Sequence, residues 1–130
     1  LVGQSMVTTG AITNRIDRLA DRGLVERRAT DDRRKVIVRL TPVGLALVDG
    51  ATGDEGLARA SQELRRLAVK YPQSQLVSFN RGWLEIYRRR AAPARIAWRR
   101  TIALDPDSRL GRTAAALLTT LESTPGGRNP

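Results

Sequence analysis

The chain contains no cysteine and no histidine. These absences exclude a disulfide scaffold, zinc sites of the Cys/His type, histidine-ligated haem, and any mechanism built on a histidine base or a cysteine nucleophile. Aromatic residues make up only 4%. Long apolar runs are missing too: charges interrupt every stretch well short of the roughly 18 consecutive apolar residues of a membrane span. Residues 1–20 lack the cationic start and apolar block of a secretory signal. No membrane partner is expected, and a cytoplasmic location is. No spacing gathers carboxylates on one helical face, and no glycine-rich phosphate loop occurs. The expectation is therefore a non-enzyme without metal or cofactor.

What is present suffices for one ordinary domain, or a small domain with a helical appendage: 130 residues, of which 41% are hydrophobic. Lys and Arg number 23 against 13 Asp and Glu, a formal charge of +10. Such a surplus favours a polyanionic partner, nucleic acid ahead of membrane. Its distribution qualifies that inference. Residues 1–52 carry a net +3 and residues 53–130 a net +7, so most of the basicity lies outside the segment with DNA-binding features.

Thr8 suits a helix N-cap. After it Ile12, Ile16, Leu19 and Ala20 recur at helical spacing, and Gly23 suits the left-handed residue that ends helices. The pattern predicts a helix over about Thr9–Arg22, with Ile12, Ile16 and Leu19 in the core. Leu24–Arg28 and the β-branched Val36–Leu40 read as strands around the polar turn Thr30–Lys35, with the hairpin strands at about Val25–Arg28 and Val36–Leu40. Thr41-Pro42 reads as N-cap and first residue of another helix, running through Leu45, Leu47 and Val48. A helix feeding a basic hairpin is the winged helix-turn-helix pattern, with the helix in the major groove.

Four blocks carry a family resemblance: Thr8 through Leu19, Gly23-Leu24-Val25-Glu26-Arg27-Arg28, Asp31-Asp32-Arg33-Arg34, and Leu40-Thr41-Pro42-Val43-Gly44. Residues 1–50 resemble the MarR (multiple-antibiotic-resistance regulator) family. The resemblance implies a mainly α fold with a small β-hairpin, a winged helix-turn-helix binding palindromic double-stranded DNA as a homodimer, with a small-molecule effector. It places Thr9, Gly10, Thr13, Asn14 and Arg15 toward bases and phosphates, and Arg18 toward phosphate. Arg33, Arg34 and Lys35 fall in the wing, and Asp32 matches the family's wing aspartate, expected to pair with a neighbouring arginine and hold the loop. The chemistry agrees: Asn bonds adenine bidentately, and arginine is drawn into a narrow minor groove. Taken alone, without the flanking blocks, Arg15 and Arg18 read as ordinary solvated helix charges. The family sets two or three helices ahead of the matching one, whereas only Leu1–Val7 precede Thr8 here. Either the chain is a truncated fragment, or its second half replaces the missing packing.

Gly50–Gly56 reads as a hinge, Leu57–Glu122 as helical with breaks at Tyr71–Ser74, near Pro93 and at Asp105–Ser108, and Ser123–Pro130 as a flexible tail. Pro72 and Pro106 stand 34 residues apart, as do Ala60 and Ala94. With Gly82 and Trp98 between them, that spacing is similar to a tetratricopeptide repeat, in which small residues sit where paired helices touch. Thr101 departs from it where the pattern has alanine, and Arg81 where it has a large apolar residue. A competing resemblance likens Leu104–Ser108 and Ala114–Glu122 to the last, dimerising helix of the MarR family. Both predict a helix at about Arg109–Glu122 capped by Asp105 or Ser108. Phe79, Trp83 and Ile86 form an apolar seam at helical spacing, leaving Arg81, Arg88–Arg90, Arg95, Arg99 and Arg100 on the solvated face. Two readings of function stand. One is a MarR-type DNA-binding regulator. The other is a helical, tetratricopeptide-like protein-interaction module attached to a vestigial DNA-binding fragment.

Overall fold

The structure, a computed structural model, describes residues 9–32, 35–49 and 53–123. Among them the order is α1 (Thr9–Asp21), β1 (Val25–Ala29), β2 (Val36–Leu40), α2 (Pro42–Asp49), α3 (Asp54–Lys70), α4 (Gln75–Tyr87), α5 (Ala91–Leu104) and α6 (Arg109–Ser123). The fold is mainly helical with one two-stranded antiparallel hairpin, a winged helix-turn-helix segment followed by helices.

Gly23 stops α1. Its φ of +72° is a conformation that side chains disfavour. There its N–H donates to Ala20 O (3.0 Å) while Leu24 N donates to Leu19 O (2.9 Å), the paired bonds of a Schellman cap. The chain then enters the hairpin, which pairs Val25 with Leu40 through to Ala29 with Val36. Its turn is pinned on one oxygen: Asp32 O accepts from Lys35 N (2.9 Å) and from the Thr30 hydroxyl (2.7 Å). Thr41 closes the segment. Its Oγ1 accepts from Gly44 N (3.1 Å), the N-cap bond expected ahead of Pro42, and its hydroxyl donates to Gly23 O. One buried threonine thus ties the end of β2 to the end of α1.

Two apolar clusters meet on α4. Val43 and Ala46 of α2 pack with Leu57, Ala60 and Leu64 of α3 and Leu84 of α4. Phe79 of α4 packs with Trp98 of α5 and with Ala114 and Leu118 of α6. Phe79, Trp83 and Ile86 form the expected seam, with Phe79 fully buried and the other two packed against the second cluster. Burying a side chain of this size stabilises by roughly 1.5–3 kcal/mol, so α4 is the spine of the molecule.

Several expectations need correction. The stretch at Gly50–Gly56 is not a hinge throughout: α3 already starts at Asp54, and Gly56 is buried inside it. A Cβ on Gly56 would lie 2.7 Å from Ala46 O, so that glycine serves the α2–α3 contact. The break expected near Pro93 falls earlier, at Arg88–Arg90. Pro93 occupies the first turn of α5, where a missing N–H costs no helical bond. Helix α1 ends at Asp21, one residue short of the expected Arg22. Its apolar stripe is only partly covered, since Ile16 is half-buried and Leu19 is 37% exposed. Thr8, the side chain of Ile12 and residues 124–130 lie outside the described residues, and Ser123 closes α6.

A thirty-four-residue offset runs through α3–α6. Helix α4 starts at Gln75 and α6 at Arg109. Each follows a serine whose Oγ accepts from the N–H three residues on: Val77 N to Ser74 (3.2 Å) and Gly111 N to Ser108 (2.9 Å). Ser108, of the two residues expected to cap α6, is the one that does. Ala60 and Leu64 of α3 correspond at the same offset to Ala94 and Trp98 of α5, and all four are buried. Gly82 sits where α4 crosses α5, so close that an added Cβ would overlap the Trp98 indole. Thr101, in place of alanine, is fully buried, and its hydroxyl bonds with Ser78 Oγ (2.8 Å) and donates to Ala97 O (3.0 Å). The departure from small apolar is thereby satisfied on both sides.

Candidate nucleic-acid interface

Helix α1 carries the residues expected to read DNA. Asn14, Arg15 and Arg18 are exposed; Asn14 and Arg18 lie on the side of the helix away from the Ile16–Leu19 stripe, and Arg15 lies on the flank beside Leu19. Thr9, Gly10 and Thr13 fall in its first turns, and the side chains of Thr9 and Thr13 lie outside the described residues. Lys35 is exposed at the end of the hairpin turn, beside Val36. Arg33 and Arg34 lie outside the described residues. Asp32 is exposed, and its backbone oxygen organises the turn through Thr30 and Lys35.

Two acidic residues of α1 are engaged by arginines from other elements. Asp17 Oδ1 accepts from Arg27 of β1 and from Arg109 Nη1 of α6 (3.2 Å), and Asp21 Oδ1 accepts from Arg109 Nη2 (3.0 Å). Desolvation pushes the Asp17 carboxyl up, but its bonds to Arg109 and Arg27 and their charges outweigh this and hold it below the ordinary carboxylate value. Arg109 is correspondingly raised: desolvation works against its charge, and its bonds to Asp21 and Asp17 prevail. The two carboxylates are spaced one turn apart: Asp17 lies on the flank between the apolar stripe and Asn14, and Asp21 falls nearly in line with Asn14 two turns along.

Three residues of the helical half reach this segment without having been expected to. The Trp83 indole N–H donates to Asp21 O (2.8 Å), across 62 residues of sequence. Asn80, 1% exposed, donates to Gly23 O and accepts from Val43 N (3.4 Å). Arg109 is the third. A Cβ on Gly23 would come within 2.5 Å of Trp83 Cδ1, so this glycine is needed for close approach as well as for its φ. A polar residue between Phe79 and Trp83 on an otherwise apolar helix face was the one available signal for Asn80. Arg109 was indistinguishable from the other arginines.

Between the hairpin and the helices lies a cleft of about 430 Å³, lined among others by Arg28, Arg39, Leu40, Leu64, Tyr71 and Asn80. Among the described residues no helix is long and apolar enough to cross a membrane. No curated protein and no solved structure gives a significant match to the chain. Residues 1–36 match the sequence model of the MarR family, less than a third of the chain. The stretch from residue 1 through α1 and β1 to Val36, the first residue of β2, is thus similar in sequence to a segment of the MarR family.

Proposed function

We propose that the chain is a MarR-type DNA-binding transcriptional regulator. Residues 1–50 form its reading head and residues 57–122 a helical array behind it. The observation that carries the reading is the exposure of Asn14, Arg15 and Arg18 on a capped helix that runs straight into a basic hairpin, within the segment that matches the family. In this reading α1 enters the major groove, with Thr9, Gly10, Thr13, Asn14 and Arg15 at bases and phosphates and Arg18 at phosphate. Arg33, Arg34 and Lys35 reach the minor groove, and Asp32 holds the wing. The protein works in the cytoplasm as a homodimer on palindromic DNA, and its small-molecule effector binds in the cleft between hairpin and array. It performs no catalysis.

The test is selection of duplexes from a random-sequence library by the full chain. The reading predicts enrichment of an inverted repeat whose half-sites lie about one helical turn, 10–10.5 base pairs, apart. It also predicts affinity that falls steeply with salt. A library that gains no preferred sequence over successive rounds contradicts it.

The thirty-four-residue offset favours a second reading for α3–α6, a tetratricopeptide-like module that binds another protein. It predicts that a chain with Asn14 and Arg15 both replaced by alanine still captures a partner protein. Capture that disappears with DNA binding counts against it.

A further inference from the structure

Among the described residues, the C-terminal part of α1 is held by several side-chain bonds from other elements. The helix leans on β1, its stripe is partly exposed, and a 13-residue helix has marginal stability by itself. Among the described side chains, its polar attachments fall in its last turns. Asp17 and Asp21 bond Arg109, the Asp21 carbonyl accepts the Trp83 indole N–H, and the Gly23 carbonyl accepts from Asn80 and Thr41. Carbonyls at a helix C-terminus lack partners within the helix. Here the ones at and just beyond the end of α1 are met by side chains from α4 and from the start of α2.

We propose that Trp83 and Arg109 are positioning residues for α1: together they clamp its C-terminal end to α4 and α6, so that the helical array sets the angle at which α1 is presented. The inference rests on the DNA-binding reading and deepens it. Neither residue needs to touch DNA. Arg109 engages the flank of α1 that adjoins the Asn14–Arg18 face, and Trp83 engages its terminal carbonyl. The two contacts lie on α4 and α6, which share the Phe79–Trp98–Leu118 cluster and so form one packed support. The Trp83 ring is itself held by stacking on Tyr87 (centroids 5.6 Å) and an edge contact with Trp98 (5.3 Å).

The experiment uses Trp83→Phe, which keeps an aromatic ring and deletes the indole donor, and Arg109→Gln, which deletes the charge. Each is titrated on a library-selected duplex and on a scrambled one at two salt concentrations. Amide hydrogen exchange of Leu19–Gly23 is followed in parallel. A clamp that positions α1 predicts that each variant lowers the ratio of selected to scrambled affinity by roughly 2- to 30-fold. It further predicts an unchanged salt slope and faster exchange confined to the end of α1. An Arg109→Gln variant that weakens both duplexes equally and flattens the slope by about one unit has lost a phosphate contact, which overturns the positioning role. Faster exchange with an unchanged ratio overturns it as well, since the contacts are then structural only. If the native chain prefers no duplex, the functional reading fails and this proposal with it. If the native chain has a preference that both variants retain, this proposal alone fails.

Discussion

Asp17 shows how much one side chain can decide. It receives Arg27 from the hairpin and Arg109 from α6, so three elements meet on one carboxylate. Its folded form is a stronger acid than the same group in the unfolded chain. The charged carboxylate therefore contributes stability above the ordinary carboxylate range, near pH 4, and that contribution is lost as pH falls through the lower folded value. Comparing the denaturant midpoint of the native chain with that of Asp17→Asn tests this. The native chain has the higher midpoint at pH 6, and the gap narrows as pH falls through the acid range. A gap that does not narrow on acidification would mean that Asp17 acts through packing or through its neutral form.

At the scale of elements, the contact between α4 and α5 turns on one glycine. Gly82 leaves no room for a methyl group beside the Trp98 indole, which donates to Phe79 O (3.2 Å). Gly82→Ala should destabilise by about 1–3 kcal/mol through overpacking. Helix propensity alone would favour alanine by up to about 1 kcal/mol. A thermal midpoint that rises in the variant would show that Trp98 can move aside. The pair α4–α5 also shows what the sequence makes legible. Small residues at Gly82 and Ala94 and the proline spacing mark where the helices touch, because those signals are local and periodic. Caps are legible for the same reason: Gly23, Thr41 and Ser108 each act within three residues of themselves. Asn80, Trp83 and Arg109 escaped because their partners lie 57, 62 and 92 residues away, and nothing local distinguishes a docking arginine from a solvated one. The apolar stripe of α1 misled for a related reason. Periodicity identifies the face that has to be covered without identifying what covers it.

At the scale of the whole molecule, α4 joins the two halves. It contributes Leu84 to the cluster behind the hairpin and Phe79 to the cluster with α5 and α6, while Asn80 and Trp83 reach the end of α1. The second half thus contacts both the end of α1 and the start of α2 through this one helix. Most of the positive charge also lies in this half, so overall affinity for a polyanion would not by itself establish that α1 reads sequence. The decisive measurement separates readout from charge. Asn14 is exposed on the side of α1 away from the hydrophobic stripe, so Asn14→Ala leaves the fold intact. Titrated on a library-selected duplex, this variant should lose about 1–3 kcal/mol of binding relative to the native chain, while binding to a scrambled duplex barely changes. Equal weakening on both duplexes, or none on either, would contradict the account: α1 would not be reading bases through Asn14.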